Sequence, residues 1–211
     1  MRMSPHAVKP VFHLLLFLLA WGAHYTVAAS MNNDNTESDV EHGLYFGVGT
    51  FGIDEDKAYE QGVDDSGIIL DMGYVGNVGE HFAFLAGISI PIIDDEDPFS
   101  QLVEDEWDGD LSYASSDISA WGFIFEASGR MPLNNSVALG GAVGLRTLSA
   151  DREITGCSNC PSEDVDLDGG TYIRPYIKVG SGSFTFEFSY INFFSGDFTN
   201  GPLVNFMWSI W

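Results

Sequence analysis

Residues 184–190 read Phe-Thr-Phe-Glu-Phe-Ser-Tyr. Every second residue is aromatic, and Thr185, Glu187 and Ser189 lie between them. Side chains alternate faces along a strand, so this stretch predicts one aromatic face and one polar face with a carboxylate at its centre. In a soluble sandwich or lipocalin the polar face meets water and the apolar face meets a core. In a membrane barrel the arrangement inverts: aromatics face lipid and polar groups fill the lumen.

Seven further segments share the two-residue period. They are Leu44–Phe51, Ile68–Tyr74, Phe82–Ile90, Trp121–Ala127, Val137–Arg146, Tyr172–Val179 and Leu203–Trp211. Each approaches the ~9–11 residues that a tilted membrane strand requires. Pro175 interrupts the sixth segment in chain order. Proline cannot donate to a ladder, and a closed barrel has no edge to hold it, so a bulge or local break is predicted there.

The connections alternate in length. Those at 76–80, 130–135 and 180–183 are short, whereas 52–66, 91–117, 149–170 and 195–202 are long. Short periplasmic turns and longer external loops are habitual in outer-membrane barrels. A soluble sandwich has no reason to alternate in this way. The pattern predicts both termini in the periplasm and most acidic clusters outside the cell.

Residues 1–29 read as a cleaved signal peptide. Arg2 and Lys9 precede the apolar run Val11–Trp21, and the small residues Val27-Ala28-Ala29 close it. The run is short for a bilayer span. A polar acidic lead at 30–41 and a barrel domain at 42–211 follow. No later stretch is long enough for a membrane helix, so membrane entry requires a closed barrel, which pairs all its strand backbone groups.

The chain holds 8 Lys+Arg against 31 Asp+Glu, a net charge of −23. Loss of Arg2 and Lys9 with the signal lowers this by two. Such a chain repels nucleic acid, which excludes that class of partner. The acids concentrate between the apolar segments, in 54–65, 94–117 and 151–168.

The terminal Trp211, with Phe206 and Trp208 before it, resembles the assembly signal of bacterial outer-membrane barrels, although Ser209 stands where an apolar residue is usual. Together with strand count and loop alternation, it makes residues 42–211 resemble the small eight-stranded OmpA-like and OmpX-like barrels. That resemblance implies an all-β, eight-stranded antiparallel up-and-down transmembrane barrel in the bacterial outer membrane. The partners it implies are outer-membrane lipid, lipopolysaccharide and the barrel assembly machinery. It brings no catalytic motif.

If aromatics face lipid, the opposite parity places Asp71, Glu126, Arg146, Arg174, Lys178 and Glu187 in the lumen. Counting from the short turns sets Asp71, Glu126, Arg174 and Glu187 at similar depths, with Arg174 among these carboxylates as a charged plug. Side chains can fill an eight-stranded barrel. Charges buried there must pair, since an unpaired one costs several kcal/mol by order of magnitude.

Cys157 and Cys160 are expected to form a disulfide staple in an oxidising compartment. Asp164, Asp166 and Asp168 have the opening spacing of a calcium loop, but Pro175 occupies the twelfth position, where an EF-hand places Glu. That leaves a weak Ca²⁺ site or a solvated acidic loop, with divalent cations as partners and no other cofactor. His42 and His81 lie beside the short turns, away from the outer leaflet where barrel lipid enzymes work, so no catalytic residue is assigned.

The leading function is structural or surface interaction, through the loops of a plugged barrel. The alternatives are a narrow channel for small or hydrophobic solutes, a lipid-modifying enzyme, and a secreted soluble barrel holding a lipophilic ligand.

Overall fold

The computed structural model describes residues 40–95, 102–104, 111–113, 115–155 and 162–210. The signal and most of the acidic lead, Cys157, Cys160 and Trp211 lie outside these residues.

In chain order the elements are β1 (Val40–Ile53), α1 (Glu55–Gln61), β2 (Val63–Val78), β3 (Phe82–Asp95), β4 (Leu102–Glu104), β5 (Leu111–Tyr113) and β6 (Ser115–Asn134). They continue with β7 (Val137–Arg146), β8 (Ser149–Thr155), β9 (Ser162–Asp164), β10 (Gly170–Ser181), β11 (Phe184–Phe193), β12 (Phe198–Thr199) and β13 (Gly201–Ser209).

Eight of these strands form one ring. The order β3-β2-β1-β13-β11-β10-β7-β6 is closed by β6 pairing back onto β3, and every pairing is antiparallel. Closure leaves no unpaired edge within the ring. The first strand begins at Val40, two residues before the boundary drawn from the sequence.

The alternating pattern becomes two surfaces. On β11, Phe184, Phe186, Phe188 and Tyr190 are exposed, while Glu187 is buried. Phe46 and Val48 on β1, Phe82, Phe84 and Ile88 on β3, and Trp121, Phe123 and Phe125 on β6 continue the apolar exterior. Rings on adjacent strands stack across it, with Phe184 and Phe206 centroids 5.7 Å apart. The interior instead carries buried arginines and carboxylates. A soluble lipophile-binding barrel requires the opposite arrangement, so that alternative is overturned.

Three connections are tight: residues 79–81, 135–136 and 182–183. Gly79 and Gly182 turn with φ near +61° and +70°, a region open to glycine without steric cost. Val40 and Ser209 lie at this same short-turn end, paired beside Val78 and Gly43 respectively.

Pro175 produces no bulge. Its register with β7 is continuous, Pro175 opposite Gly141. The β10–β11 ladder instead skips Arg174 and Pro175, running from Ile173–Asn192 directly to Tyr176–Ser189 without a register shift. The break falls where the proline lacks an N–H to donate.

The long-loop end holds more structure than the sequence suggested. Residues 149–170, expected as a loop, contain β8 and β9. The β3–β6 ladder ends at Ser89–Gly122, while on its other edge β6 runs on past β7 to pair β8 in the same register. β8 in turn pairs β9. The expected loop at 52–66 carries the seven-residue helix α1.

Candidate functional site

The lumen is built from residues on the inward parity. Following one ladder across the sheet, Ser89, Asp71, Gly47, Asn205, Glu187 and Lys178 are successive cross-strand partners on β3, β2, β1, β13, β11 and β10. Directly opposed residues share a face, so this one row brings Ser89, Asp71, Asn205, Glu187 and Lys178 to the lumen side. Glycine at 47 is required by close approach: a Cβ there would lie 2.7 Å from Asn205 Oδ1 and 2.9 Å from Tyr45 Oη.

Two arginines from outside the row, Arg146 on β7 and Arg174 on β10, each centre a cluster that reaches into it. In the first, Arg146 Nη1 and Nη2 donate to the two oxygens of Asp71 at 2.8 and 3.0 Å, a bidentate pair. Arg146 also donates to the Ser89 hydroxyl. The Tyr172 ring lies beneath its guanidinium, 5.9 Å from centroid to Cζ.

In the second cluster, Arg174 Nε and Nη2 donate to Glu126 at 3.1 and 2.7 Å, and Nη1 donates to Glu187. Tyr172 Oη donates to the same Glu126 at 2.6 Å, and Asn205 Nδ2 donates to Glu187 at 2.9 Å. Both arginines are essentially sealed, at 1% and 3% exposure. These figures matter because an ion pair so buried is held by geometry and hydrogen bonds, without help from water.

The sequence set Asp71 at one depth with Glu126, Arg174 and Glu187. The structure divides them: Asp71 pairs with Arg146, and Arg174 bridges the two glutamates. Lys178 is half-buried beside them and makes no ion pair among the described residues, although Glu187 is its cross-strand partner. It lines a cavity of about 20 Å³ with Asn77, Arg130 and Glu187 near the short-turn end. That volume holds roughly one water. Arg130 donates to Asn77 Oδ1 at 2.7 Å and to the Glu80 carbonyl at 2.8 Å.

Ser89, Asn205, Tyr45 and Tyr172 were not singled out from sequence. Each is a polar or tyrosyl residue on the inward parity of its strand, a signal present in the two-residue period. Both histidines lie at the short-turn end: His42 bonds to Tyr74, and His81 Nδ1 contacts the Arg130 carbonyl at 3.2 Å.

The three aspartates of the calcium-like spacing do not converge on one point. Asp164, Asp166 and Asp168 are exposed, while Val165 and Leu167 between them are buried, so the acids project outward along an extended segment. Asp166 pairs with Lys57 at 3.7 Å, and the Asp168 N–H donates to Asp197 at 2.7 Å. Among the described residues, no group of three metal-capable side chains forms.

A second buried centre lies at the long-loop end. Arg152 on β8 pairs with Asp95 on β3 at 3.0 Å and with Glu163 on β9, and donates to the carbonyls of Gln61 and Gly62 at 2.6 and 3.2 Å. Apolar Ile53, Ala58, Val63, Ile93, Val165 and Leu167 belong to the buried cluster. On α1, the hydrogen bond from Lys57 to Glu60 raises the lysine above its ordinary value.

A closed ring with an aromatic exterior and ion-paired lumen defines a small eight-stranded transmembrane β-barrel. No protein-family model and no curated protein matches the chain. Among solved structures it is similar to Ail, the attachment invasion locus protein of Yersinia pestis. A complex of Ail with the heparin analogue sucrose octasulfate aligns at 12% identity and TM-score 0.49, covering 81% of this chain and 97% of that one. A second Ail structure aligns at 13% identity and TM-score 0.48 with the same coverage.

Proposed function

We propose that this barrel resides in a bacterial outer membrane, with its short turns and termini in the periplasm and its acidic long-loop end outside the cell. There it acts by surface interaction, not by transport. The observation that carries this reading is the pair of arginine clusters across the lumen, Arg146 with Asp71 and Arg174 with Glu126 and Glu187. A lumen filled by fixed ion pairs leaves the loop end as the interacting surface.

That surface is one-signed. Lys57 and Arg152 are the cations among its described residues, against carboxylates from Asp54 round to Asp197. On the β6–β8–β9 sheet, exposed Asp117 stands directly opposite Glu153, and Asp151 opposite Asp164. Like charges so placed repel and favour a cationic or cation-bridged partner. Lipopolysaccharide is anionic, so neighbouring molecules meet this face through divalent cations. A polyanion such as the heparin analogue bound by Ail is disfavoured here.

Reconstitution into planar bilayers tests the plug: the account expects no discrete current steps, and steady ohmic steps would favour the channel reading. Binding to polylysine-coated over heparin-coated surfaces, lost at high salt, tests the acidic face. Equal binding to both would remove it.

A further inference from the structure

The connection between β7 and β10 contains an extended strap, Asp164–Gly169, which meets α1 at the barrel mouth. In the ring order β1-β2-β3-β6-β7-β10-β11-β13, the β1–β2 connection and the β7–β10 connection lie on opposite sides. Yet the strap touches α1, which belongs to the β1–β2 connection. The Asp166 N–H donates to Gln61 Oε1 at 2.8 Å, and the Asp166 carboxylate pairs with Lys57. Contact between opposite walls requires that α1 and the strap between them reach over the opening.

The strap is fastened elsewhere as well. The Val165 N–H donates to the Ala150 carbonyl at 2.9 Å. The Asp168 N–H donates to Asp197 Oδ2, and the Asp197 N–H donates back to the Asp168 carbonyl at 3.0 Å, which ties the strap to the β11–β13 connection. Val165 and Leu167 are 5% and 4% exposed, so the apolar side of the strap faces inward. Arg152 draws the same parts together, holding β9 through Glu163, β3 through Asp95 and the end of α1 through two carbonyls.

We infer that Asp164–Gly169 and α1 form a latched lid that closes the long-loop end of the lumen, with Arg152 as the latch. The lumen is thereby shut at two levels: by ion pairs within the wall and by an apolar strap above them. This closure is separate from the charged clusters and does not depend on which compartment the loops face.

Ser89 lies fully buried beside Arg146 and reports access to the lumen. In a Cys157→Ser/Cys160→Ser background in detergent micelles, Ser89→Cys would be titrated with a small cationic methanethiosulfonate. With the lid latched, modification is slow. Adding Arg152→Gln is expected to speed it about tenfold, as for a local opening independent of global unfolding. A Lys57→Ala/Gln61→Ala pair strips only the α1 contacts of the strap and is expected to act in the same direction; it also serves if Arg152→Gln does not fold. Heat-modifiable gel mobility confirms that the ring is intact. Unchanged modification rates in the folded variants, or fast modification of Ser89→Cys alone, would overturn the lid.

Discussion

The membrane-spanning wall and the long-loop end differ in what they bury and what they expose. Within the wall, aromatics face out and the centre holds Asp71, Glu126, Arg146, Arg174 and Glu187. At the loop end Val63, Ile93, Val165 and Leu167 turn inward and acids turn outward, as in a soluble protein. One chain thus follows two solvents. In lipid, apolar side chains gain nothing by leaving the exterior, so polar groups collect inside and satisfy one another. Above the membrane, water restores the ordinary hydrophobic effect. Arg152 differs from Arg146 accordingly: it spends two of its hydrogen bonds on backbone carbonyls and pairs with the partly exposed Glu163, whereas Arg146 grips a sealed carboxylate.

This contrast ranks the expected effects of substitution. The largest is in the lumen: Arg146→Met orphans Asp71 and is expected to lower unfolding stability by about 3–5 kcal/mol, read by urea titration in lipid vesicles. On the lipid face, Phe188→Arg is expected to cost about 2–4 kcal/mol in the same assay if this residue sits near the midplane. A loss near zero would place Phe188 at an interface. At the loop end, Leu167→Ala is expected to cost about 2 kcal/mol, the low end for a buried leucine because the small core can collapse. That loss should track opening of the lid while the wall stays folded, measured by amide exchange. The smallest effect is a gain: Asp151→Asn relieves repulsion from Asp164 and is expected to add about 0.2–1 kcal/mol at low salt, fading as salt rises.

Much of the wall was legible because a two-residue period is a local signal. Eight such segments gave eight ring strands, and parity alone put Glu187 and Arg174 on the inner face. Depth was not legible to the same degree. Staggering between strands comes from the ring's shear, so Asp71 met Arg146 and not Arg174. Pro175 affected its ladder without shifting register, since the loss of one N–H need not insert a residue. The loop end was misread for a different reason. Asp164-Val-Asp-Leu-Asp-Gly carries two overlapping patterns, oxygen spacing and acid–apolar alternation. The second one governs, because burial of Val165 and Leu167 has a core to join. β8 escaped notice because its run, Ser149–Thr155, is short and charged, with Arg152 as its inward residue among acids.

The central claim is that matched charges, packed among buried Ile69, Leu85, Ile124 and Leu203, hold the centre of the wall. Arg174 tests it most directly, because it bridges two buried glutamates, Glu126 and Glu187. Urea unfolding in lipid vesicles would be compared for Arg174→Met and for Arg174→Met/Glu126→Gln/Glu187→Gln. The account predicts a loss of about 3–5 kcal/mol for the single variant and recovery of most of it in the triple variant, where no charge is left unpaired. A single variant as stable as the wild type, or a triple variant no better than the single, would contradict it.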